Sequence, residues 1–311
     1  MRVFVAGASG AIGEPLVRQL LHAEHEVTGM TRREAAAEAI RAAGADAAVC
    51  DAFDPGALTE AVTAARPEVV VHELTALPDR FDFKDPDLYT ATNRVRTEGT
   101  RNLIAAARGA GARRLVAQSI CTLYAPGGGW VKDERAPLLD DAPPPFGEGI
   151  AATRDLEGQV LGAEGLEGLV LRYGFFYGPR GTYTTSGYWA QEFRKRRFPI
   201  VGDGEAMTSF VQIEDAAAAT VAALEHGEAG IYNICDDDPA PAREWVPAYA
   251  EAVGAKRPFR VPKWLARIVA GKAIAEMATT TRGASNAKAK RELGWAPLHQ
   301  SWRQGFREAL G

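Results

Sequence analysis

The stretch Val3-Phe4-Val5-Ala6-Gly7-Ala8-Ser9-Gly10-Ala11-Ile12-Gly13 decides how the chain is read. Four apolar residues run into a turn with three glycines, and Ile12, Leu16, Val17, Leu20 and Leu21 then recur at helical spacing. Glycine at such a turn lets the backbone approach a pyrophosphate with no Cβ in the way. The helix N-terminus adds unpaired N–H groups and a positive dipole end. Alone, three glycines also fit an ordinary strand-to-helix turn. Directly behind the first strand, and with further support downstream, they mark a dinucleotide site. Gly7, Ser9, Gly10, Ala11, Ile12 and Gly13 form its cradle.

Outward from this turn, strand-like apolar runs fall at 2–6, 25–30, 46–50, 68–72, 114–118, 168–173 and 230–234. Helical patterns lie at 11–23, 33–43, 55–65, 86–108, 148–164 and 214–226. Near-continuous apolar strands alternating with amphipathic helices predict a Rossmann-type, doubly wound parallel α/β sheet of about seven strands, covered on both faces. Residues 1–173 with 211–234 make the dinucleotide-binding domain. Segments 174–210 and 235–311 are richer in aromatics, Pro and Gly, with helices near 187–197, 241–253, 262–275, 286–292 and 300–310. They predict a smaller, interleaved substrate lobe over the C-terminal edge of the sheet, where open α/β folds bind ligands.

A net charge of −4 over 311 residues gives no electrostatic case for a nucleic-acid or anionic-membrane partner. No apolar run approaches membrane-spanning length. Cys50, Cys121 and Cys235 lack metal-ligand spacing, so no metal is expected, and an odd thiol count suits a reducing cytoplasm. All three end apolar runs, which predicts buried thiols.

Further ordered motifs carry an identity. They are Gly7-x-x-Gly10-x-x-Gly13, Asp51 after the third strand, Gly99-Thr100-Arg101-Asn102-Leu103 and Ser119 through Tyr124. Arg172-Tyr173 leading to Tyr177-Gly178-Pro179, Phe210 through Asp215, and Lys288 through Trp295 complete them. Over essentially its whole length the chain resembles the extended short-chain dehydrogenase/reductase superfamily, which includes nucleotide-sugar epimerases and dehydratases. The resemblance implies a nicotinamide dinucleotide with Asp51 and Ala52 at the adenine edge. It places Leu74 and Thr75 beside pyrophosphate and ribose, with Ser119 and Phe176 completing the contacts. Members using NAD usually end the second strand on an acid. Here Thr31 stands there, followed by Arg32 and Arg33. Without the carboxylate nothing repels a 2′-phosphate, and two guanidiniums can clamp one, so NADP(H) is expected.

The same resemblance implies a Ser or Thr four residues before Tyr124 and a Tyr-x-x-x-Lys on the next helix. Those positions read Ile120, Gly149 and Thr153. Carbonyl reduction builds negative charge on oxygen, and losing the acid that meets it costs about 10²–10⁴-fold in rate. Thr122 and Tyr177 are the candidate substitute donors, with water or a substrate hydroxyl as further options. Tyr183 serves better as an aromatic wall.

On the substrate side, the places where sugar-nucleotide enzymes carry an Asn and an Arg read Phe175-Phe176 and Met207-Thr208. Cys121, Trp130, Phe146, Phe175, Tyr183, Trp189 and Phe210 are the candidate substrate contacts, and they predict a flat, apolar ligand. Gly127-Gly128-Gly129 reads as a flap and Pro143-Pro144-Pro145 as a stiff border, while Arg282 reads as a structural ion pair. The expectation is an NADPH-dependent ketoreductase for an aromatic or polycyclic, polyketide-like ketone, working as a monomer or homodimer. A non-catalytic NADP-binding redox sensor or partner-binding protein is the alternative, and a nucleotide-sugar epimerase or dehydratase the third reading.

Overall fold

The computed structural model describes residues 1–140, 142–144 and 146–309; Pro145 of the proline border lies outside them. Strands β1 (Arg2–Ala6), β2 (Glu26–Thr31), β3 (Asp46–Val49), β4 (Val69–His72), β5 (Arg114–Ile120), β6 (Glu167–Tyr173) and β7 (Gly230–Ile234) form the main sheet. It is seven-stranded, in the order β7-β6-β5-β4-β1-β2-β3, and every pairing is parallel. The chain turns outward in opposite directions after β1 and β4, which pair as Val5 with Val71 and Ala6 with His72. Their ends therefore open the crevice in which doubly wound sheets bind ligands.

Helices cover both faces because each strand buries alternate residues on either side. On one face, Leu16, Val17 and Leu20 of α1 (Gly13–His22) pack on Val3, Val5 and Leu171. On the other, Leu58 and Val62 lie against Phe4, Ala6 and Val70. They belong to α3 (Pro55–Ala65), which follows α2 (Glu34–Ala42). Asp54 starts α3 by accepting the Gly56 and Ala57 N–H groups at 3.1 and 3.0 Å, with Pro55 in the first turn.

The segment predicted as one helix over 86–108 is instead three pieces. Helix α4 (Thr90–Arg94) passes into a π turn (Val95–Gly99) and then α5 (Thr100–Gly109). Apolar spacing does not distinguish a single wide turn from continuous helix. This segment packs on α6 (Phe146–Leu161).

The lobe is held to the sheet by buried carboxylates. Asp215, on α8 (Ile213–Ala222), accepts the Leu298 and His299 N–H groups at 3.1 and 2.9 Å, and its carbonyl accepts Trp295 Nε1 at 3.0 Å. Asp236 accepts the Trp302 N–H at 2.7 Å. Within the lobe, α7 (Tyr188–Arg194), α9 (Ala242–Ala252) and α13 (Trp302–Ala309) enclose an aromatic core of Tyr183, Phe193, Phe210, Trp245, Tyr249 and Phe306. The helix predicted over 262–275 divides into α10 (Lys263–Val269) and α11 (Lys272–Thr280) at Gly271, whose φ of 93° no helix permits. Helix α12 (Ala287–Glu292) returns to β7.

Candidate active site

The glycines of the first turn are fixed by sterics. Gly7 has a φ of 96°, and a Cβ there would stand 2.8 Å from the Glu73 carbonyl carbon; at Gly13 it would stand 2.8 Å from the Ala8 backbone. Gly10 donates to the Gly7 carbonyl at 2.9 Å, closing the turn. Helix α1 then begins with no side-chain cap; the Glu14 N–H is taken by the Gly10 carbonyl at 3.2 Å and Pro15 has none, so the N–H of Gly13 is what its first turn offers a ligand. A cradle that a Cβ would fill, ending on an uncapped helix at the sheet's switch point, fits a dinucleotide pyrophosphate.

The turn is tied to β2, since Ala8 donates to the Met30 carbonyl at 3.2 Å and Ser9 Oγ meets Thr31 Oγ1 at 3.2 Å. Thr31 is buried, while Arg32 and Arg33 are exposed, and neither pairs with a carboxylate among the described residues. The acid in that helix turn, Glu34, is taken by Arg41 at 2.7 Å. Asp51 accepts the Phe53 N–H at 2.9 Å, and the Ala52 carbonyl accepts Asn102 Nδ2 at 2.9 Å, so the carriers of the adenine-edge expectation form a braced turn.

Beyond β4, Leu74 is placed by two bonds. Its N–H donates to His72 Nδ1 at 3.3 Å, and its carbonyl accepts Gln118 Nε2 at 3.2 Å. His72 Nε2 therefore carries the proton toward Thr100 Oγ1 at 2.9 Å. Burial holds its pKa down at about 4. Burial pushes the neighbouring Glu73 up to about 8, against the hydrogen bond that Tyr173 donates at 3.1 Å. Both side chains are thus neutral near pH 7, and Thr75 stays exposed at the cleft.

At the end of β5, Ser119, read as a cofactor contact, turns its hydroxyl inward, donating to Glu157 Oε1 at 2.7 Å. Glu157 is gripped by Arg172 at 2.7 and 2.6 Å, Arg172 also donates to Tyr124 at 3.0 Å, and Tyr124 donates to Asn233 at 2.6 Å. This buried chain locks β5, α6, β6 and β7 together behind the site. Gly149 and Thr153 lie one turn apart on the buried face of α6, with Thr153 Oγ1 bonded to the Gly149 carbonyl at 2.8 Å. Ile120, half-buried at the end of β5, offers only hydrocarbon.

Some substrate candidates meet and others do not. Thr122 and Phe146 line one narrow, mostly apolar pocket with Ile150, Met277 and Thr281. Trp189 and Phe83 stack with ring centroids 6.3 Å apart, and Phe83 lies 5.7 Å from Phe146, continuing an aromatic wall. Trp130 is stacked by Arg282 at 3.8 Å. Among the described residues Arg282 makes no ion pair: it donates to the Thr280 and Pro126 carbonyls, and its buried Nε has no partner there. Phe175 and Phe176 are half-buried on a short strand beside Phe210. Tyr183 and Phe210, in contrast, belong to the lobe core, in edge-to-face contact at 5.5 Å. Tyr177 is also core, packed on Gly305 and Phe306 with its hydroxyl unpartnered, so it does not reach a substrate as acid. Cys121 is fully buried and its thiol pushed up to about 12, which leaves it inert packing. Sequence reading missed Tyr89, Asn93 and Arg96, which surround Gly149; their spacing of four and three residues was the available signal.

Residues 3–235 match the NAD dependent epimerase/dehydratase family, and the chain belongs to it. It is an oxidoreductase of the extended short-chain dehydrogenase/reductase kind, built for a nicotinamide dinucleotide. It is 46% identical, over 98% of its length and 99% of the relative's, to a 3-diazoavenalumate denitrifying reductase of a Streptomyces species. It is 27% identical to the 4-hydroxy-2-methyl-3-oxo-4-farnesyl-3,4-dihydroquinoline-1-oxide ketoreductase of Stigmatella aurantiaca, over 99% of this chain and 96% of that one. Among solved structures, the UDP-glucose 4-epimerase of Thermus thermophilus in complex with NAD superposes with a TM-score of 0.72 at 26% identity, covering 100% of this chain and 98% of the other.

Proposed function

We propose that the protein is an NADPH-dependent reductase that reduces an aromatic diazo compound with loss of nitrogen. One observation carries this reading: the dinucleotide cradle is intact, while Gly149 and Thr153 stand on α6 where a ketone reductase of this kind needs Tyr and Lys. The cradle and the Arg32-Arg33 rim hold NADPH, which when bound supplies a hydride. An aryl diazo group in its diazonium form, R–N₂⁺, accepts that hydride at its terminal nitrogen without a protein acid. The new N–H bond gives R–N=N–H, and loss of N₂ leaves the hydrogen on carbon as R–H. Such an acceptor suits this site better than an isolated ketone, whose alkoxide must be met as it forms. The Streptomyces relative, named for a diazo substrate and related over its whole length, supports the same acceptor.

A second reading, the reduction of an aromatic or polycyclic ketone, draws support from the Stigmatella relative and from the apolar wall of Phe83, Phe146 and Trp189. The nucleotide-sugar reading is weaker, because Phe175-Phe176 and Met207-Thr208 offer a sugar diphosphate no charge. Three buried free thiols fit a reducing cytoplasm.

The test is a panel of aryl diazo acids, aromatic ketones and nucleotide sugars, followed by NADPH absorbance and by melting with NADP⁺ present. Turnover of diazo acids is expected, with ketones slower and nucleotide sugars giving neither turnover nor protection. A melting rise of several degrees with a uridine- or thymidine-diphosphate sugar would restore the sugar reading.

A further inference from the structure

Tyr89, Asn93 and Arg96 follow one another at helical spacing along α4 and the π turn, so their side chains leave one face of that segment. That face meets α6 at Gly149. A Cβ on Gly149 would already touch Asn93 Oδ1 at 3.8 Å and the Tyr89 ring at 3.9 Å, so this stripe fills the space that a larger residue would take. The Tyr89 ring also lies 6.1 Å from that of Phe146, a wall of the apolar pocket.

Arg96 is 7% exposed, and its hydrogen bond, to the Gly149 carbonyl at 3.5 Å, is long. Glu157, the carboxylate whose charge supports it, is already engaged by Ser119 and by both arms of Arg172. Two buried guanidiniums therefore share one carboxylate, and a positive charge is left over in a low-dielectric site. Asn93 Oδ1, buried against Gly149, has no hydrogen-bond partner among the described residues. Burial pushes the Tyr89 phenol up to about 12, and the Arg96 charge draws it back. An uncompensated cation and a phenol ring packed against Gly149, where the family's Tyr would stand, call for an anion.

We propose that Tyr89 and Arg96 form an oxyanion-binding pair, carried in from α4 and the π turn to the Gly149 side of α6. The use of the pair rests on the reductase reading. Hydride delivery to a ketone carbon turns C=O into C–O⁻. Delivery to the terminal nitrogen of a quinone-like diazo group, O=C…C=N₂, forms N–H and moves the electron pair onto the ring oxygen. Loss of N₂ then leaves hydrogen on carbon, and the phenolate takes a proton from water. In both cases the pair faces the oxygen that gains charge. Arg96 supplies the field and Tyr89 a hydrogen bond, which together release the site from needing a transferred proton.

The test uses 4-nitrophenol, whose phenol and phenolate absorb differently, bound to the protein saturated with NADP⁺. The bound probe is expected to titrate at least about one pH unit below the free compound. Arg96→Met should abolish the shift and weaken phenolate binding by about tenfold or more, and Arg96→Lys should retain part of both. Tyr89→Phe should cost about threefold to tenfold, as one hydrogen bond does. Arg101→Met, on the exposed side of α5, should change nothing. If Arg96→Met does not fold, the Lys and Phe variants carry the test. Absent binding, an unshifted probe in the parent protein, or equal losses in the Arg96 and Arg101 variants would overturn the pair. A shifted probe in a protein that reduces no diazo compound or ketone would leave the pair standing and remove the reductase reading instead.

Discussion

At the end of β2, Thr31 presents a hydroxyl already engaged by Ser9, and Arg32 and Arg33 follow with no acid to neutralise them. A group of fixed negative charge is the natural occupant of that rim, which is why we propose the adenosine 2′-phosphate for it. Replacing both arginines by Ala should weaken NADPH binding by roughly 2–4 kcal/mol, two partly redundant charge-assisted contacts, and leave NADH binding nearly unchanged. Calorimetric titration decides between this and a merely solvated helix start, which predicts equal small effects on both cofactors. Arg282 shows the limit of such reasoning from sequence. Its lack of an acidic partner is a property of the folded lobe, where Trp130 and two carbonyls surround it.

Among the elements, the turn after β4 rests on two buried, neutral side chains. Glu73 has its folded pKa raised from 4.5 to about 8, so the stability its neutral form brings is full below about pH 4.5 and is lost as pH rises through 8. His72 has the opposite sign, with its pKa lowered from 6.5 to about 4, so its contribution is present above about 6.5 and lost as pH falls through 4. Glu73→Gln keeps an acceptor for Tyr173 and cannot ionise. Between pH 7 and 9 the parent should lose about 1 kcal/mol more stability than this variant, measured by denaturant melts. Parallel slopes for the two proteins would show Glu73 already charged at pH 7. The strands themselves were legible because each is a short apolar run between turn residues, and β4 is buried at all four positions. The π turn was not legible, since its side chains keep near-helical spacing. Tyr183 and Phe210 read as pocket residues because aromatic composition does not say which way a side chain faces; the edge-to-face packing of the lobe does.

Over the whole molecule, the sheet supplies a rigid cofactor shelf and the lobe closes over it through Asp215 and Asp236. By resemblance the usual Ser, Tyr and Lys positions read Ile120, Gly149 and Thr153, yet the stripe proposed to stand in for them lies some fifty residues away in sequence and becomes visible only once α4 packs on α6. A site that keeps its hydride donor while exchanging its proton donor for a fixed charge suits an acceptor that gains electrons without waiting for a proton. The direct test is stoichiometric: with an aryl diazo acid, NADPH consumption is measured against N₂ released. The account predicts one NADPH oxidised for each N₂, with the ring carbon left bearing hydrogen. Persistence of the diazo compound with NADPH unspent, or release of nitrogen without oxidation of NADPH, would contradict it.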